Sequence, residues 1–350
     1  MKALIITSPF IPWALGYPGL DHTIAKLQAR HGSPLQSRST ELLGDLQDNN
    51  ALTAVGSEIK AILQGASAVA DGSTYTPPAA LASAACTQST LCIWSHIIGD
   101  LSTAFTDCTA LARGAIRQGF HDAATWDRDS AYGGADGSLL LSDDELARPE
   151  NRGLEDIAAQ TKAWHGRYAG YNISMADLVQ TAAVTATVSC PGGPRIRHFV
   201  GRKDDGRPGP TGKLPLPEQD AQTLIDLFAA KTFTADGLVA LVGAHTVARQ
   251  RFVDPGRYDA PQDSTPAVWD SAFYAQTLGG DNETGVLIFH SDWSISGHEA
   301  TKERFGEFAG AGGMGVWGPA YAQAYFRMSL LGVGNLNYLT EITQALPLPR

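Results

Sequence analysis

Positive charge is scarce in this chain. Lysine and arginine number 26 against 36 aspartates and glutamates over 350 residues, a formal net charge of −10. No stretch gathers the basic residues into a cluster. Phosphate contacts need such clusters, so nucleic acid is excluded as a general partner, and an anionic membrane surface has nothing to attract. Long apolar runs are also missing: none reaches the roughly 18 residues of a membrane-spanning helix. Cysteine is sparse. Four residues allow three pairings and do not by themselves fix the redox compartment. Strand-like alternation is short and infrequent, and no internal repeat is visible. With 43% hydrophobic and 18% charged residues, the chain can still bury a large core, as one generous domain or two smaller ones.

The first sixteen residues, Met1–Gly16, hold one lysine, an apolar stretch and small residues where a peptidase could cut. That order is similar to a short secretory signal, with a buried first strand as the alternative. Two glycosylation sequons, Asn172-Ile-Ser174 and Asn282-Glu-Thr284, are compatible with export. Residues 17–85 are rich in Ala, Ser, Thr and Gly, with a helix-like stretch Glu41–Leu63 and then Asp71-Gly-Ser-Thr-Tyr-Thr-Pro-Pro78. They read as an extension and linker preceding the main domain. From Cys86 onward the pattern turns helical. Leu101–Phe120, Gly153–Tyr168, Ser174–Val188, Pro217–Ala230, Thr234–Arg249, Ala267–Gln276 and Pro319–Leu331 carry apolar residues three and four apart. Ser174 and Thr234 stand where helix starts need acceptors. A mostly α fold is expected.

Three segments carry chemistry. In Arg117-Gln-Gly-Phe-His121-Asp122 the spacing of four places Arg117 and His121 on one helix face. Alone, such a pair is ordinary on a solvated face. In Gly133-Gly-Ala-Asp136-Gly-Ser138, side-chain oxygens alternate around glycines, as a loop wrapping a hard cation requires. In Leu241-Val-Gly-Ala-His245-Thr246 a single histidine stands on an apolar helix, where it is either a satisfied core residue or a ligand.

Together these segments resemble the plant-type haem peroxidase superfamily, specifically its secreted fungal branch, from about Cys108 to Gly334. The resemblance implies a two-domain, mostly helical fold over residues 86–340. One haem b would lie between a distal part, about 86–195, and a proximal part, about 196–340. Arg117, Phe120 and His121 fall on the distal motif, and phenylalanine at 120, where intracellular members carry tryptophan, favours the secreted branches. Asn151 falls on the distal asparagine, His245 on the iron ligand and Asp292 on its acidic partner. A single imidazole can move a proton between peroxide oxygens, so His121 is implied as base and then acid, oriented by Asn151. Arg117 would stabilise the departing oxygen. The resemblance also implies two calcium ions. One would be held by Asp122, Gly134, Asp136 and Ser138, the other by Thr246, Asp263, Thr265, Val268 and Asp270. It pairs Cys108 with Cys190, leaving Cys86 and Cys92 for a short loop.

The departures bear on substrate. Manganese-oxidising relatives place glutamates three and seven residues before the distal arginine and an aspartate six after the proximal histidine. Here those positions are Gly114, Ala110 and Arg251, which cannot hold Mn(II). Lignin-oxidising relatives place a surface tryptophan where Ala240 stands, and Gln262 replaces an aromatic beneath the haem. Leu214-Pro-Leu-Pro217 resembles the segment at the haem-edge opening. The expectation is a secreted, monomeric peroxidase that takes hydrogen peroxide and small aromatic donors. A non-catalytic extracellular haem- or calcium-binding protein of the same fold is the alternative. Gly310-Ala-Gly-Gly-Met-Gly315 fits a dinucleotide fingerprint, but no strand precedes it and no acid follows in a βαβ setting.

Overall fold

Helices begin in this protein where a side chain can accept from the free N–H groups of a first turn. Thr53 Oγ1 accepts from Gly56 N at 2.9 Å and Thr109 Oγ1 from Ala112 N at 3.3 Å. Ser174 Oγ accepts from Asp177 N at 3.0 Å, Asp220 Oδ1 from Thr223 N at 2.8 Å and Thr234 Oγ1 from Gly237 N at 3.2 Å. The computed structural model describes residues 39–48, 52–280 and 285–350. Met1–Gly16, expected as a signal, and the sequon Asn282-Glu-Thr284 lie outside the described residues. Asn172 of the other sequon is exposed.

The main helices are α1 (Ala54–Leu63), α2 (Thr90–Phe105), α3 (Ala110–Ala123), α4 (Glu155–Arg167), α5 (Met175–Ser189), α6 (Ala221–Ala230), α7 (Ala235–Val242), α8 (Ala272–Gly279), α9 (His290–Gly297), α10 (Lys302–Ala309) and α11 (Gly313–Met328). Among the described residues the one sheet has two short antiparallel strands, β1 (Phe199–Val200) and β2 (Thr340–Glu341), so the fold is mostly helical as expected. No single helix among them is long and apolar enough to cross a membrane. Helix α5 is buried along its whole length and packs against α2, α3 and α4. Further along the chain α11 lies against α7 and α10, and α8 against α9 and α10. Buried Arg202 ties α5 to the end of α11, donating to Asp177 Oδ1 at 3.0 Å and to Ser329 O at 3.0 Å. Residues from Ser39 onward fall in one compact unit.

The structure corrects several expectations. Leu43, Leu46, Ile59, Ile62 and Leu63 are buried in the common core, so these residues belong to the main body rather than to an extension. Among the described residues of Glu41–Leu63, α-helix begins at Ala54, after a 3₁₀ turn at Gly44–Leu46. Nor is Asp71–Ser73 a free linker. Buried Arg195 donates to the carbonyls of Asp71 and Ser73 and, at 2.9 Å, to those of Thr343 and Leu346. The helix expected over Leu101–Phe120 is two helices, because Asp107 and Cys108 adopt left-handed φ of 56° and 57°. Cys108 is bridged there to Cys190, and Cys86 to Cys92, so all four cysteines pair as the resemblance implied. Thr234–Arg249 stops being α-helical at Val242 and continues as a 3₁₀ turn, Gly243–Val247. Helix α8 begins later than Ala267, beyond the Asp263–Asp270 loop, and α11 begins at Gly313 with Pro319 inside it.

Candidate active site

Helix α3 presents Arg117 and His121 on one face, and the turn Pro149–Asn151 presents Asn151 to them. Asn151 Nδ2 donates to Glu145 O at 2.7 Å, which fixes the amide so that Oδ1 faces His121 Nδ1 at 2.8 Å. An amide oxygen only accepts, so Nδ1 carries the proton and Nε2 is bare. From the other side Arg117 Nε donates to that bare Nε2 at 3.1 Å. Both neighbours enforce one tautomer. Arg117 is itself anchored by Nη1 to Arg152 O and by Nη2 to Glu150 O, each at 2.8 Å. Burial, and then the Arg117 charge, pushes the His121 pKa down to about 3 against the opposing bond to Asn151. Burial brings Arg117 down to about 10 against the pull of Glu155, and it remains a cation at neutral pH. Phe120 lies edge-on to His121 at 5.9 Å and stacks with Phe228 at 6.3 Å.

His245 follows from the way α7 ends. The switch to a 3₁₀ turn at Gly243 strips the last α-helical carbonyls of their usual partners. Tyr274 Oη donates to Val239 O at 2.7 Å and Trp317 Nε1 to Ala240 O at 2.9 Å. These two side chains press so closely on the turn that a Cβ on Gly243 would lie 2.3 Å from Tyr274 Oη and 2.6 Å from the Trp317 ring. The His245 ring, held edge-to-face between Phe273 at 5.6 Å and Phe289 at 5.7 Å, sets Nδ1 3.1 Å from Asp292 Oδ2. Nδ1 is thereby the protonated nitrogen, and Nε2 has no protein partner among the described residues. The His245 side chain is 32% exposed, so that nitrogen can reach a ligand.

Behind His121, Asp122 is fully buried and accepts from Gly137 N at 3.2 Å and Leu139 N at 3.4 Å. Asp136 accepts from Ser138 N at 3.0 Å, and Gly134, at φ 108°, has no room for a side chain because a Cβ would lie 2.3 Å from Leu331 O. Burial, with Asp136 and Glu145 nearby, pushes the Asp122 pKa well up, and burial raises Asp136 to about 6. Ser138 Oγ and Glu145 Oε1 are buried without partners among the described residues. Glu145 is a residue the motifs missed, although the run Asp143-Asp-Glu145 hinted at it. Its main-chain oxygen holds Asn151 and its carboxylate joins the acidic pocket, so one residue links the two.

Next to His245, Thr246 Oγ1 donates to Asp263 and lies 3.5 Å from Val268 O and 3.4 Å from Asp270 Oδ1. Thr265 Oγ1 donates to Asp270 Oδ2 at 2.9 Å. Burial, opposed by bonds from Thr246 and Thr265, raises Asp263 to about 6. All five residues expected there converge. Gln262 is buried, with its main-chain N donating to Ala248 O at 3.1 Å and Nε2 without a partner among the described residues. Cys86, Cys92 and His96 also cluster, but the bridge between the cysteines removes both thiolates as metal ligands.

Residues 97–311 match the family described as Peroxidase. Over 287 residues the chain is 30% identical to a peroxidase of Arthromyces ramosus, a match covering 74% of this chain and 77% of that protein. It is 40% identical over 147 residues to a low-redox potential peroxidase of Taiwanofungus camphoratus, spanning 42% of this chain and less than half, 44%, of the relative. Manganese peroxidase 2 of Phlebia radiata is 30% identical over 271 residues, 70% of this chain and 68% of the relative.

Proposed function

The chain belongs to the peroxidase family, on the fungal branch of the plant-type haem peroxidases, and from that premise we propose that Arg117, His121 and Asn151 serve the cleavage of hydrogen peroxide by a haem b that His245 would hold. The residues suit that group. His245 offers a bare, reachable imidazole nitrogen, and its other nitrogen is bonded to the buried Asp292, whose Oδ1 has no further partner among the described residues. Such a carboxylate makes the imidazole a stronger donor to iron. When bound, the haem supplies the electrons that break the O–O bond and recovers them from two one-electron donors.

The protein's part is proton movement and charge. Peroxide takes the place of the Arg117 N–H as donor to His121 Nε2. His121, neutral down to about pH 3, accepts a proton from one peroxide oxygen and returns it to the other, which leaves as water. Asn151 holds Nδ1–H throughout, so Nε2 is the only nitrogen that exchanges. Arg117 stabilises negative charge on the leaving oxygen and is held in place by two main-chain carbonyls. The observation that carries this reading is the bare Nε2 of His121, fixed from both sides.

Calcium ions would occupy the Asp122, Gly134, Asp136, Ser138 pocket and the Thr246, Asp263, Thr265, Val268, Asp270 pocket, since the buried carboxylates Asp122 and Asp263, with the unpartnered Ser138 hydroxyl in the first pocket, call for a hard cation. Small phenols or aromatic amines are the donors proposed. Gly114, Ala110 and Arg251 cannot hold Mn(II), and Ala240 is a buried alanine with no aromatic ring to offer the surface. Two bridges suit an oxidising compartment, and a secreted monomer is proposed. The test is a haem titration of the purified chain, followed spectroscopically, with peroxide-dependent oxidation of a phenolic dye. A Soret band accompanied by dye turnover is expected. Haem uptake without turnover would refute the enzymatic reading and leave a binding protein.

A further inference from the structure

The bridge between Cys86 and Cys92 has a histidine at its side that takes no part in the chemistry proposed for His121 or His245. Both sulfurs and a ring nitrogen of His96 lie within 4.8 Å of one another. Cys92 and His96 are four residues apart on α2 and so share a face. His96 Nε2 lies 3.1 Å from Ala79 O. A carbonyl only accepts, so Nε2 carries the proton and Nδ1 is bare. The cysteines are positioned by more than their own bond. Ser83 Oγ accepts from Cys86 N at 3.3 Å, Ser89 Oγ accepts from Cys92 N at 3.2 Å, and Ser89 N donates to Cys86 O at 2.9 Å. None of these bonds involves sulfur, so reduction leaves the two thiols close together.

Access to this bridge is local. Cys86 is the one buried residue between Ala82 and Thr90, so a small opening of that stretch uncovers the sulfurs without unfolding the core. Cys190 of the other bridge instead follows the fully buried α5. Attack by a dithiol breaks the S–S bond through a mixed disulfide; Cys86 and Cys92 leave as thiols and the reductant as its own disulfide. Cys92 is the third residue of α2, where the helix dipole favours the thiolate. Two thiolates and a neutral imidazole offer a zinc ion an uncharged set of two sulfurs and one nitrogen, with a fourth position for water. Binding releases the two thiol protons. Thiolate and imidazole suit this borderline-soft cation and not calcium. We propose that Cys86, Cys92 and His96 form a zinc site that the disulfide closes and its reduction opens.

The test uses the haem-loaded chain with calcium present and reads no turnover, so it stands apart from the proposed catalysis. The chain is reduced with a water-soluble phosphine, which brings no thiolate of its own, equilibrated with zinc and dialysed. The retained zinc is counted and its neighbours are measured by X-ray absorption. Zinc with sulfur neighbours at about 2.3 Å is expected after reduction, and no sulfur-bound zinc before it. Alkylation followed by mass measurement reports which cysteines the phosphine has freed, and zinc should protect Cys86 and Cys92. Cys86→Ser is expected to abolish the sulfur-bound zinc. His96→Ala is expected to weaken it by at least the roughly 10- to 100-fold that follows loss of a ligand's own hydrogen-bond partner, with haem content unchanged. A reduced chain in which Cys86 and Cys92 are alkylated but which retains no sulfur-bound zinc overturns the proposal. So does zinc held equally well in both variants, or a bridge that opens only when circular dichroism shows the whole chain unfolding.

Discussion

Replacing Asn151 by alanine removes the acceptor for His121 Nδ1–H at 2.8 Å and the donor to Glu145 O at 2.7 Å. The first loss matters for reactivity. A buried neutral hydrogen bond is worth roughly 1–3 kcal/mol when one partner is left unsatisfied, and here it favours the tautomer whose Nε2 is bare. Without it the ring can turn or change tautomer, and an Nε2–H would confront the Arg117 Nε–H. A barrier raised by that amount slows reaction roughly 5- to 150-fold. The assay is the second-order rate of reaction with hydrogen peroxide by stopped flow at pH 7, alongside a thermal melt to register the loss at Glu145. Asn151→Asp is the companion. A carboxylate would favour the imidazolium, so the acid limb of the rate should move up from about pH 3. An alanine variant reacting within about twofold of wild type would show that orientation by Asn151 has no part in catalysis.

Other outcomes follow from the same geometry. The wild-type rate with peroxide should hold as pH falls and fade only near pH 3, and a midpoint at the ordinary histidine value of 6.5 would contradict the site's electrostatics. Because the folded protein binds fewer protons at His121 than the unfolded chain between about 6.5 and 3, this group's contribution to stability declines on acidification through that window. Chelation at pH 7 should lower the melting temperature by roughly 5 °C or more, since Asp122, Asp136 and Glu145 then face one another without a cation; an unchanged melt would dismiss the calcium assignment. Gly243→Ala forces a Cβ to 2.3 Å from Tyr274 Oη. It should destabilise the fold by about 1–3 kcal/mol in a urea titration and loosen haem retention by displacing His245.

What the sequence made visible divides along physical lines. Arg117, His121, Asn151, His245 and Asp292 stand out in the sequence because the chemistry proposed for them demands fixed residue types at near-fixed spacing, and the structure brings the first three together and joins the last two. The oxygen-bearing residues Thr246, Asp263, Thr265 and Asp270 stand out in the same way, and they converge. The role of Leu43, Ile59 and Ile62 was hidden, because a few large apolar residues in an Ala- and Ser-rich stretch look like linker until their contacts 200 and more residues away are known. The break at Asp107 and Cys108 was hidden too, since apolar periodicity runs through a left-handed pair unnoticed. Glu145 acts partly through its main-chain oxygen, which no side-chain pattern reports. Tyr274 and Trp317 are core aromatics whose polar atoms also complete the end of α7, which no apolar pattern reports.

The most direct test of the account is the rate of reaction with hydrogen peroxide in haem-loaded His121→Ala, compared with wild type at pH 7 with equal haem content. Loss of the group that transfers the proton predicts a fall of about 10²- to 10⁴-fold. A variant that retains haem and reacts within about tenfold of wild type would contradict the assignment of His121 as acid and base.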